Sequence, residues 1–355
     1  MEYIPKLRTL YFYVTDKCNL NCNHCWIDGD YKKNNIFNIE LLKIILPVMK
    51  KMGLRSVCLT GGEPTLHPQI LEIIKLFYDT SISITLLTNG LLLTKDFCKT
   101  ISNLNLFCSV SLDGALSETH DGIRGKKGAY NITISGIQYL LEYEIPFEVI
   151  FAVQKRNEHE IYDFINFIEK IGVKNVKFNF LNYNGGNRIK ELKKNEEKID
   201  IKKILDIKKD LIDVAIKEKK INIKTNLPFS FSNPIEIKNT SKNVCGIKHA
   251  MGLLPDGNIS ICGIAELRNE LIIGKASPDN IEELWKTHTI FKLIRKNIPS
   301  KLEGICAICN IKELCCGVCV AHNYMETGSF FSTYLLCQEL YEEKLFPQKY
   351  LIPKG

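Results

Sequence analysis

The 355-residue sequence has no apolar run near the roughly 18 residues needed to cross a membrane. Its most apolar stretches, such as LLKIILPVM from Leu41, are broken by Lys or Pro. The opening residues, MEYIPKLRTLYFYVTDKC, lack a basic start, an apolar centre and a small-residue cleavage site, so no signal peptide is expected and the reading is a cytoplasmic protein. Glycine (22) and proline (12) are too sparse for collagen-like or low-complexity sequence. With 45% hydrophobic and 25% charged residues, wholesale disorder is excluded as well. No internal repeat is visible. Neither sign of charge dominates: 47 Lys+Arg face 40 Asp+Glu, a formal +7. Much of that excess lies between Arg188 and Lys224, where an Ile/Leu/Val stripe reads as a helix with a solvated lysine face. Neither nucleic acid nor a membrane is expected as a partner.

Cysteine is what the chain has in excess. There are 14, six of them between Cys306 and Cys337. Where thiols are kept reduced, such clustering points to metal ligands or redox groups rather than disulfides.

From Leu10 to about Tyr183 strand-like and helix-like patterns alternate. Strands are expected at TLYFYVT, SVCLTG, SITLLTN, LFCSVSLDG, FEVIFAVQ and VKFNFLN, several of them nearly continuously apolar. Helices are expected between them, with apolar residues every three to four positions and with Gly53 and Gly172 at C-termini. This order implies α/β architecture, a parallel sheet with right-handed crossovers. Six strands are too few for a closed eight-fold barrel. A partial barrel or an open sheet over residues 1–230 is the expectation, and the family resemblance given below implies a partial (β/α)6 TIM-like barrel. The segment NLPFSFSNPIEIKNTSKN reads as a boundary loop. Residues 231–355, with short segments and eight cysteines, read as a small, loop-rich second domain. Cys58, Cys98 and Cys108 lie inside apolar patterns and read as small core residues. His67, before Pro68, reads as a helix-start residue, and His120 as a surface loop residue.

Directly after the first strand, Cys18, Cys22 and Cys25 form C-x3-C-x2-C. A zinc site wants four ligands, and His24 is available as the fourth. The sharper reading is a 4Fe–4S cluster with three thiolates, which leaves one iron open for chemistry. Loops after parallel strands are where such folds place active sites.

TDKCNLNCNHC resembles the defining motif of the radical S-adenosylmethionine (radical SAM) superfamily. Strand two ends in Gly61-Gly62-Glu63-Pro64, similar to that family's GGEP motif. There glycines permit close backbone approach, and the Glu63 carboxylate can pair with the methionine ammonium. The resemblance extends along the other strand ends. It implies that Thr88, Asn89, Ser111 and Asp113 border the cofactor, that Arg124 approaches its methionine carboxylate and that Leu181 contacts its adenine. It also places His24 among the cofactor-binding residues, at a position where sulfatase-type maturases have tyrosine. The implied chemistry is reductive cleavage of S-adenosylmethionine to a 5′-deoxyadenosyl radical, which abstracts a hydrogen atom from substrate.

The later cysteines resemble the seven-cysteine SPASM domain of peptide- and protein-modifying radical SAM enzymes: Cys245-x16-Cys262, then Cys306-x2-Cys309-x5-Cys315-x3-Cys319, then Cys337. That resemblance implies an outer auxiliary 4Fe–4S cluster on Cys306, Cys309, Cys315 and Cys337, and an inner one on Cys245, Cys262 and Cys319. The inner cluster's fourth site is left open, or filled by substrate, His249 or Cys316. A pair of zinc knuckles is the structural alternative. Ten thiolates around three clusters would bring the net charge to about +3.

The leading expectation is maturation of a ribosomally made peptide by thioether formation, carbon–carbon crosslinking or epimerisation. A haem- or quinone-cofactor pathway enzyme is the alternative, followed by a sulfatase-type maturase, whose extra cysteine between Cys245 and Cys262 is missing here. A ferredoxin-like electron carrier and a zinc module are the non-enzyme alternatives. Expected partners are a peptide substrate, a reductant such as flavodoxin or ferredoxin, and a separate leader-peptide-binding protein, since the first strand starts too early for an N-terminal winged helix. No catalytic base or hydrogen donor is legible.

Overall fold

The computed structural model describes residues 4–28, 32–181, 188, 191, 198–218, 221–232, 245–263 and 268–353. The expected strands form at Thr9–Thr15 (β1), Ser56–Gly61 (β2), Ser83–Thr88 (β3), Leu106–Ser111 (β4), Phe147–Val153 (β5) and Asn175–Phe180 (β6). They lie side by side in chain order and every neighbouring pair is parallel. Helices Ile39–Met52 (α1), Ile70–Asp79 (α2), Lys95–Ile101 (α3), Ser117–Arg124 (α4), Ala129–Glu142 (α5) and Ile161–Lys170 (α6) connect them.

The sequence explains these boundaries. Asn38 caps α1 by accepting from the Glu40 N–H, and Gly53 ends it at φ +108°. Thr94 caps α3 through the Phe97 N–H. Gly172 follows α6 at φ +94°, and its N–H bonds to Glu169 O.

The sheet is longer than the six strands expected. Asn222–Thr225 (β7) adds a parallel strand beside β6. At the other edge Ala250–Leu253 (β8) pairs parallel with β1, and Asn258–Ser260 (β9) and Ile272–Lys275 (β10) continue antiparallel. Ten strands therefore form one open sheet, and the cysteine-rich region is built onto its β1 edge. Helix Ile201–Glu218 (α7) covers β6 and β7, with Ile201, Ile204, Ile207 and Leu211 buried, as its stripe implies. The expected boundary loop starts with buried Phe229 and Phe231, and its residues 233–243 lie outside the described residues. The C-terminal region is helical and loop-rich, with Ile281–Thr287 (α8), Thr289–Asn297 (α9), Gly304–Ala307 (α10), Lys312–Cys315 (α11), Val320–Thr327 (α12) and Leu335–Glu342 (α13).

One face of the sheet is apolar and packs on the helices. Leu10, Phe12 and Val14 of β1 alternate with Tyr11 and Tyr13; Phe12 meets Phe37 at 4.7 Å and Phe77 at 6.2 Å. Each such buried side chain contributes about 1.5–3 kcal/mol. The other, concave face is polar and half-buried. Thr9 bonds Ser56, Ser109 bonds Glu148, and Glu148 pairs with Lys224. A closed barrel fills this space with branched aliphatics; here polar side chains leave it suited to a polar occupant. Cys98 and Cys108 are fully buried core residues, as expected, but Cys58 is half-buried between Val57 and Leu59, and its thiol responds to Lys177 of β6. The strand's continuous apolar look concealed which face each residue takes.

Candidate active site

The loop carrying Cys18, Cys22 and Cys25 leaves β1 and crosses the ends of β2 and α4. Its course is fixed by backbone contacts. Gly62 N bonds Thr15 O and Glu63 N bonds Lys17 O, both at 2.8 Å. Asn21 N and Asn23 N bond the carbonyls of Arg124 and Ile123. A Cβ on Gly61 would lie 2.1 Å from Thr15 O, one on Gly62 2.2 Å from Lys17 O, and one on Gly125 2.4 Å from Asn21 O. At these positions the lack of a Cβ admits this loop, and the GGEP turn is a clamp that holds it.

Glu63 is buried and oriented by neighbours. Thr88 Oγ1 and the Asn89 N–H each donate to its carboxylate at 2.8 Å, and the Thr65 N–H donates at 3.1 Å. Burial raises its pKa while these donors lower it. Asn89 Nδ2 also donates to Asn19 Oδ1 at 2.7 Å, which ties the β3 end to the cysteine loop.

The second half of the site is built on β4, α4 and β5. Asp113 is fully buried; it pairs with Arg124 at 2.7 Å and accepts from the Ala152 N–H. Arg124 NH1 donates to Cys22 Sγ at 3.7 Å. Burial disfavours the guanidinium charge, but Asp113 and Cys22 hold it on. Asp113 and Arg124 are therefore each other's partners. His24 lies 3.8 Å from Asp113 and 3.1 Å from Gln154 Nε2, and burial lowers its pKa to about 4, so it is neutral at pH 7.

His120 corrects the sequence reading. It is fully buried on α4, and its Nδ1 accepts from the Asp113 N–H at 3.1 Å. Burial lowers its pKa to about 4. The short polar segment SETHDGIR gave no apolar period by which a helix could be foreseen. Gln154, Asn157 and Glu160 were also missed. Glu160 accepts from the N–H groups of Ala115 and Leu116, and Asn157 donates to Asp113 O. His67 receives the Gln69 N–H at the start of α2, as its place before Pro68 suggested.

Two further candidates lie at strand ends. Ser111 ends β4, half-buried, in register with Ile150. Leu181 lines a small apolar pocket with Val153, Phe180, Ile199 and Tyr334. Among the described residues, buried side-chain atoms without a hydrogen-bond partner surround this loop: Asn23 Nδ2, His120 Nε2, Arg124 Nε and Gln154 Oε1. Such a cluster of unmet donors and acceptors suits a polar, zwitterionic ligand. Burial pushes the Cys18 thiol up to about 12 and raises Cys22 as well; a bound cation would reverse that. Among the described residues no three His, Cys, Asp or Glu side chains converge closely enough for a single metal ion. A cube of four irons keeps its thiolates farther apart than one ion does.

The C-terminal cysteines form two groups. Cys306, Cys309, Cys315 and Cys337 line one small pocket with Pro228, Ser230 and Phe346. Burial raises Cys315 to about 12 and Cys337 well above its usual range, and each feels the other thiols of the set. Cys245, Cys262 and Cys319 lie at the β1 edge, where all three act on Tyr11.

Comparison with known proteins agrees with this geometry. The radical SAM superfamily pattern matches residues 12–168. An AdoMet-dependent heme synthase of Methanosarcina barkeri is 28% identical over 93% of this chain and 96% of its own length. AlbA, the antilisterial bacteriocin subtilosin biosynthesis protein of Bacillus subtilis, is 25% identical over 85% of this chain and 67% of its own. A probable GTP 3′,8-cyclase of Saccharolobus solfataricus is 30% identical over 56% of this chain and 68% of its own. In fold, the chain resembles Streptococcus suis SuiB bound to precursor peptide SuiA (TM-score 0.74, 19% identity, 94% of this chain and 77% of that one). It also resembles anSMEcpe with bound AdoMet and Cp18Cys peptide (TM-score 0.72, 18% identity, 94% of each).

Proposed function

The chain belongs to the radical SAM superfamily, whose enzymes use a 4Fe–4S cluster and S-adenosylmethionine, and on that premise we propose that it modifies a ribosomally synthesised peptide by thioether formation, carbon–carbon crosslinking or epimerisation. When bound, cluster and cofactor supply reductive cleavage of a sulfonium and a radical that takes hydrogen from unactivated carbon.

The protein's part is to hold and orient. Cys18, Cys22 and Cys25 are assigned to the cluster, with Gly61 and Gly62 keeping their loop in place. Arg124, kept cationic by Asp113, offers its unpartnered Nε to the methionine carboxylate. Glu63, pre-set by Thr65, Thr88 and Asn89, receives the methionine ammonium. His24, neutral and bonded to Gln154, borders the cofactor with Ser111 and Asp113, and Leu181 offers an apolar wall to adenine. The outer auxiliary cluster is assigned to Cys306, Cys309, Cys315 and Cys337, which share one cavity, and the inner one to Cys245, Cys262 and Cys319. We take residues 1–230 as the catalytic part and 231–355 as the SPASM-type part, with Pro228 and Ser230 reaching across that line into the outer cavity. A flavodoxin or ferredoxin would deliver electrons, and a separate protein would present the peptide's leader.

The observation that carries the peptide reading is the relation to AlbA over 85% of this chain. The polar concave face supports it, since an extended peptide brings many hydrogen-bonding groups. The test is anaerobic. Reconstituted protein, reductant and S-adenosylmethionine are incubated with the small peptide encoded beside the gene. The expected result is loss of two hydrogens from the peptide for a crosslink, or deuterium uptake from heavy water for epimerisation. The heme synthase relative, covering 96% of its own length, motivates a second arm with an iron porphyrin. A mass change in the porphyrin and none in the peptide would replace the peptide reading with haem formation.

A further inference from the structure

Residues of β6 alternate between the helices and the concave face. Val176, Phe178 and Phe180 are buried, Phe178 against Phe151 and Phe164, so Asn175, Lys177 and Asn179 form a polar column on the concave side. Register places this column beside the candidate active site. Asn179 is level with Ala152, whose N–H bonds Asp113. Lys177 is level with Ile150, which is itself level with Ser111. Neighbouring strands lie about 4.8 Å apart, so the column is roughly 10 Å across the sheet from the end of β4.

The polar groups of the column are unequally engaged. Asn175 donates to Phe147 O and accepts from Asn222 Nδ2, both at 3.2 Å. Asn179, nearer the mouth, has a buried Oδ1 without a hydrogen-bond partner. Lys177 stands between Ile150 of β5 and Lys224 of β7, so neither register neighbour offers it an acceptor side chain. Glu148, the carboxylate of this face, is taken by Lys224 at 3.6 Å and by the Ser109 hydroxyl at 3.0 Å. On the concave side of β5, β6 and β7 two ammonium groups thus share one carboxylate. A positive charge is left over next to an unmet amide oxygen, and a ligand that supplies both a carboxylate and an N–H would answer the pair.

We propose that Lys177 and Asn179 select the substrate by holding an acidic residue of the peptide, its side-chain carboxylate on the Lys177 ammonium and a backbone N–H on Asn179 Oδ1. The proposal rests on the peptide reading given above and names the feature of the peptide that this face recognises. Two residues apart on one strand, the pair spans about 6.6 Å, which an Asp or Glu bridges from carboxylate to backbone. The same pair speaks against an iron porphyrin. A propionate would satisfy Lys177, but a porphyrin whose nitrogens bind iron has no N–H to give Asn179.

The test is equilibrium binding to anaerobically reconstituted full-length protein with S-adenosylmethionine and no reductant, so that nothing is consumed. The probe is the small peptide encoded beside the gene, fluorescently labelled, together with versions in which each Asp or Glu becomes Asn or Gln in turn. Thermal melting and iron content establish that Lys177→Gln, Lys177→Glu and Asn179→Leu are folded and loaded. Lys177→Gln should weaken peptide binding about 10- to 100-fold, as loss of a charge-assisted hydrogen bond does, and Asn179→Leu about 3- to 10-fold. One acid-to-amide peptide should bind the parent as weakly as Lys177→Gln binds the original, and lose nothing further against Lys177→Gln. Lys177→Glu should regain affinity for the peptide with Lys at that position. Equal binding of the peptide by the parent and Lys177→Gln, or a bound peptide without Asp or Glu, overturns the proposal and leaves the peptide reading standing. If Asn179→Leu weakens S-adenosylmethionine as much as the peptide, that amide serves the cofactor and its assignment falls. A parent that does not bind the peptide, whatever it does with an iron porphyrin, removes the peptide reading and the proposal with it.

Discussion

Cys18, Cys22 and Cys25 lie on a loop clamped by backbone at Gly61, Gly62 and Gly125, whereas Cys306, Cys309, Cys315 and Cys337 come from helices α10, α11 and α13 and the turn after α10. Around the first set, buried polar atoms are left without partners. Around the second, the lining is largely apolar; Ser230 meets Cys337, Thr333 meets Cys306, and backbone at Ile311 and Val318 hydrogen-bonds Cys309 and Cys315. The first arrangement is preformed and awaits a polar ligand. The second is a greasy shell whose thiols are driven neutral by burial. A site that binds a polar ligand needs fixed geometry and unmet polar groups, whereas an apolar shell excludes water from its thiols.

The sharpest way to break this comparison is to displace one loop and delete a cysteine from the other set. Gly62→Ala puts a methyl on Lys17 O, backbone against backbone. A displacement of about 1 Å at the cysteines should reduce S-adenosylmethionine cleavage roughly 100-fold. Gly246→Ala, beside Cys245 with nothing within 4 Å of its Cβ, should leave cleavage unchanged. Cys337→Ala should lower iron content yet retain cleavage of S-adenosylmethionine without substrate. Deoxyadenosine release and iron per chain are the measurements. Equal loss of cleavage in Gly62→Ala and Cys337→Ala would mean that the two regions are not separable in function.

A smaller effect distinguishes the polar site by pH. Folded His120 titrates at about 4 against 6.5 for the free side chain, because burial disfavours its charge. The unfolded chain therefore takes up the proton first, so the stability due to neutral His120 is complete above pH 6.5 and falls as the pH drops toward 4. Protonation of Nδ1 also removes the acceptor of the Asp113 N–H. Melting temperature should fall from pH 7 to pH 5, and His120→Asn should flatten that dependence even if it is less stable at pH 7. An unchanged slope in His120→Asn would assign acid sensitivity to other groups.

These residues also mark how far sequence reasoning reached. The six central strands were legible because each is a run of β-branched and aromatic residues between helices of clear period. The triplet stood out by its spacing, and GGEP and the later strand ends by their resemblance to the superfamily. Their partners did not. No periodicity says that Asp113 binds Arg124 within its own β/α unit, or that Gly62 of the second unit packs on Lys17 O of the first. β7 and β8, at four residues each, are too short to stand out, and NIKT and AMGL become strands because β6 and β1 offer open edges. His120 looked exposed because α4 buries it through tertiary packing rather than through an apolar stripe.

The two regions meet at Trp26, and the smallest expected effect sharpens the comparison there. The indole follows Cys25, packs beside Tyr13 and Leu254, and meets the His322 ring of α12 edge-on at 5.8 Å. Cys319 caps the start of that same helix. Trp26 therefore couples the clamped loop to the cysteine-rich region by packing alone. An aromatic pair of this kind adds about 0.5–1.5 kcal/mol beyond area burial. Trp26→Leu should accordingly lower the melting temperature of iron-loaded protein by about 1–5 °C, and Trp26→Phe by less, because its ring retains the edge contact. If the loop and the cysteine-rich region fold as one cooperative body, Trp26→Leu shifts a single transition. A split into two transitions, only one of them displaced, would show that the ring contact does not couple the regions and that the open sheet alone joins them.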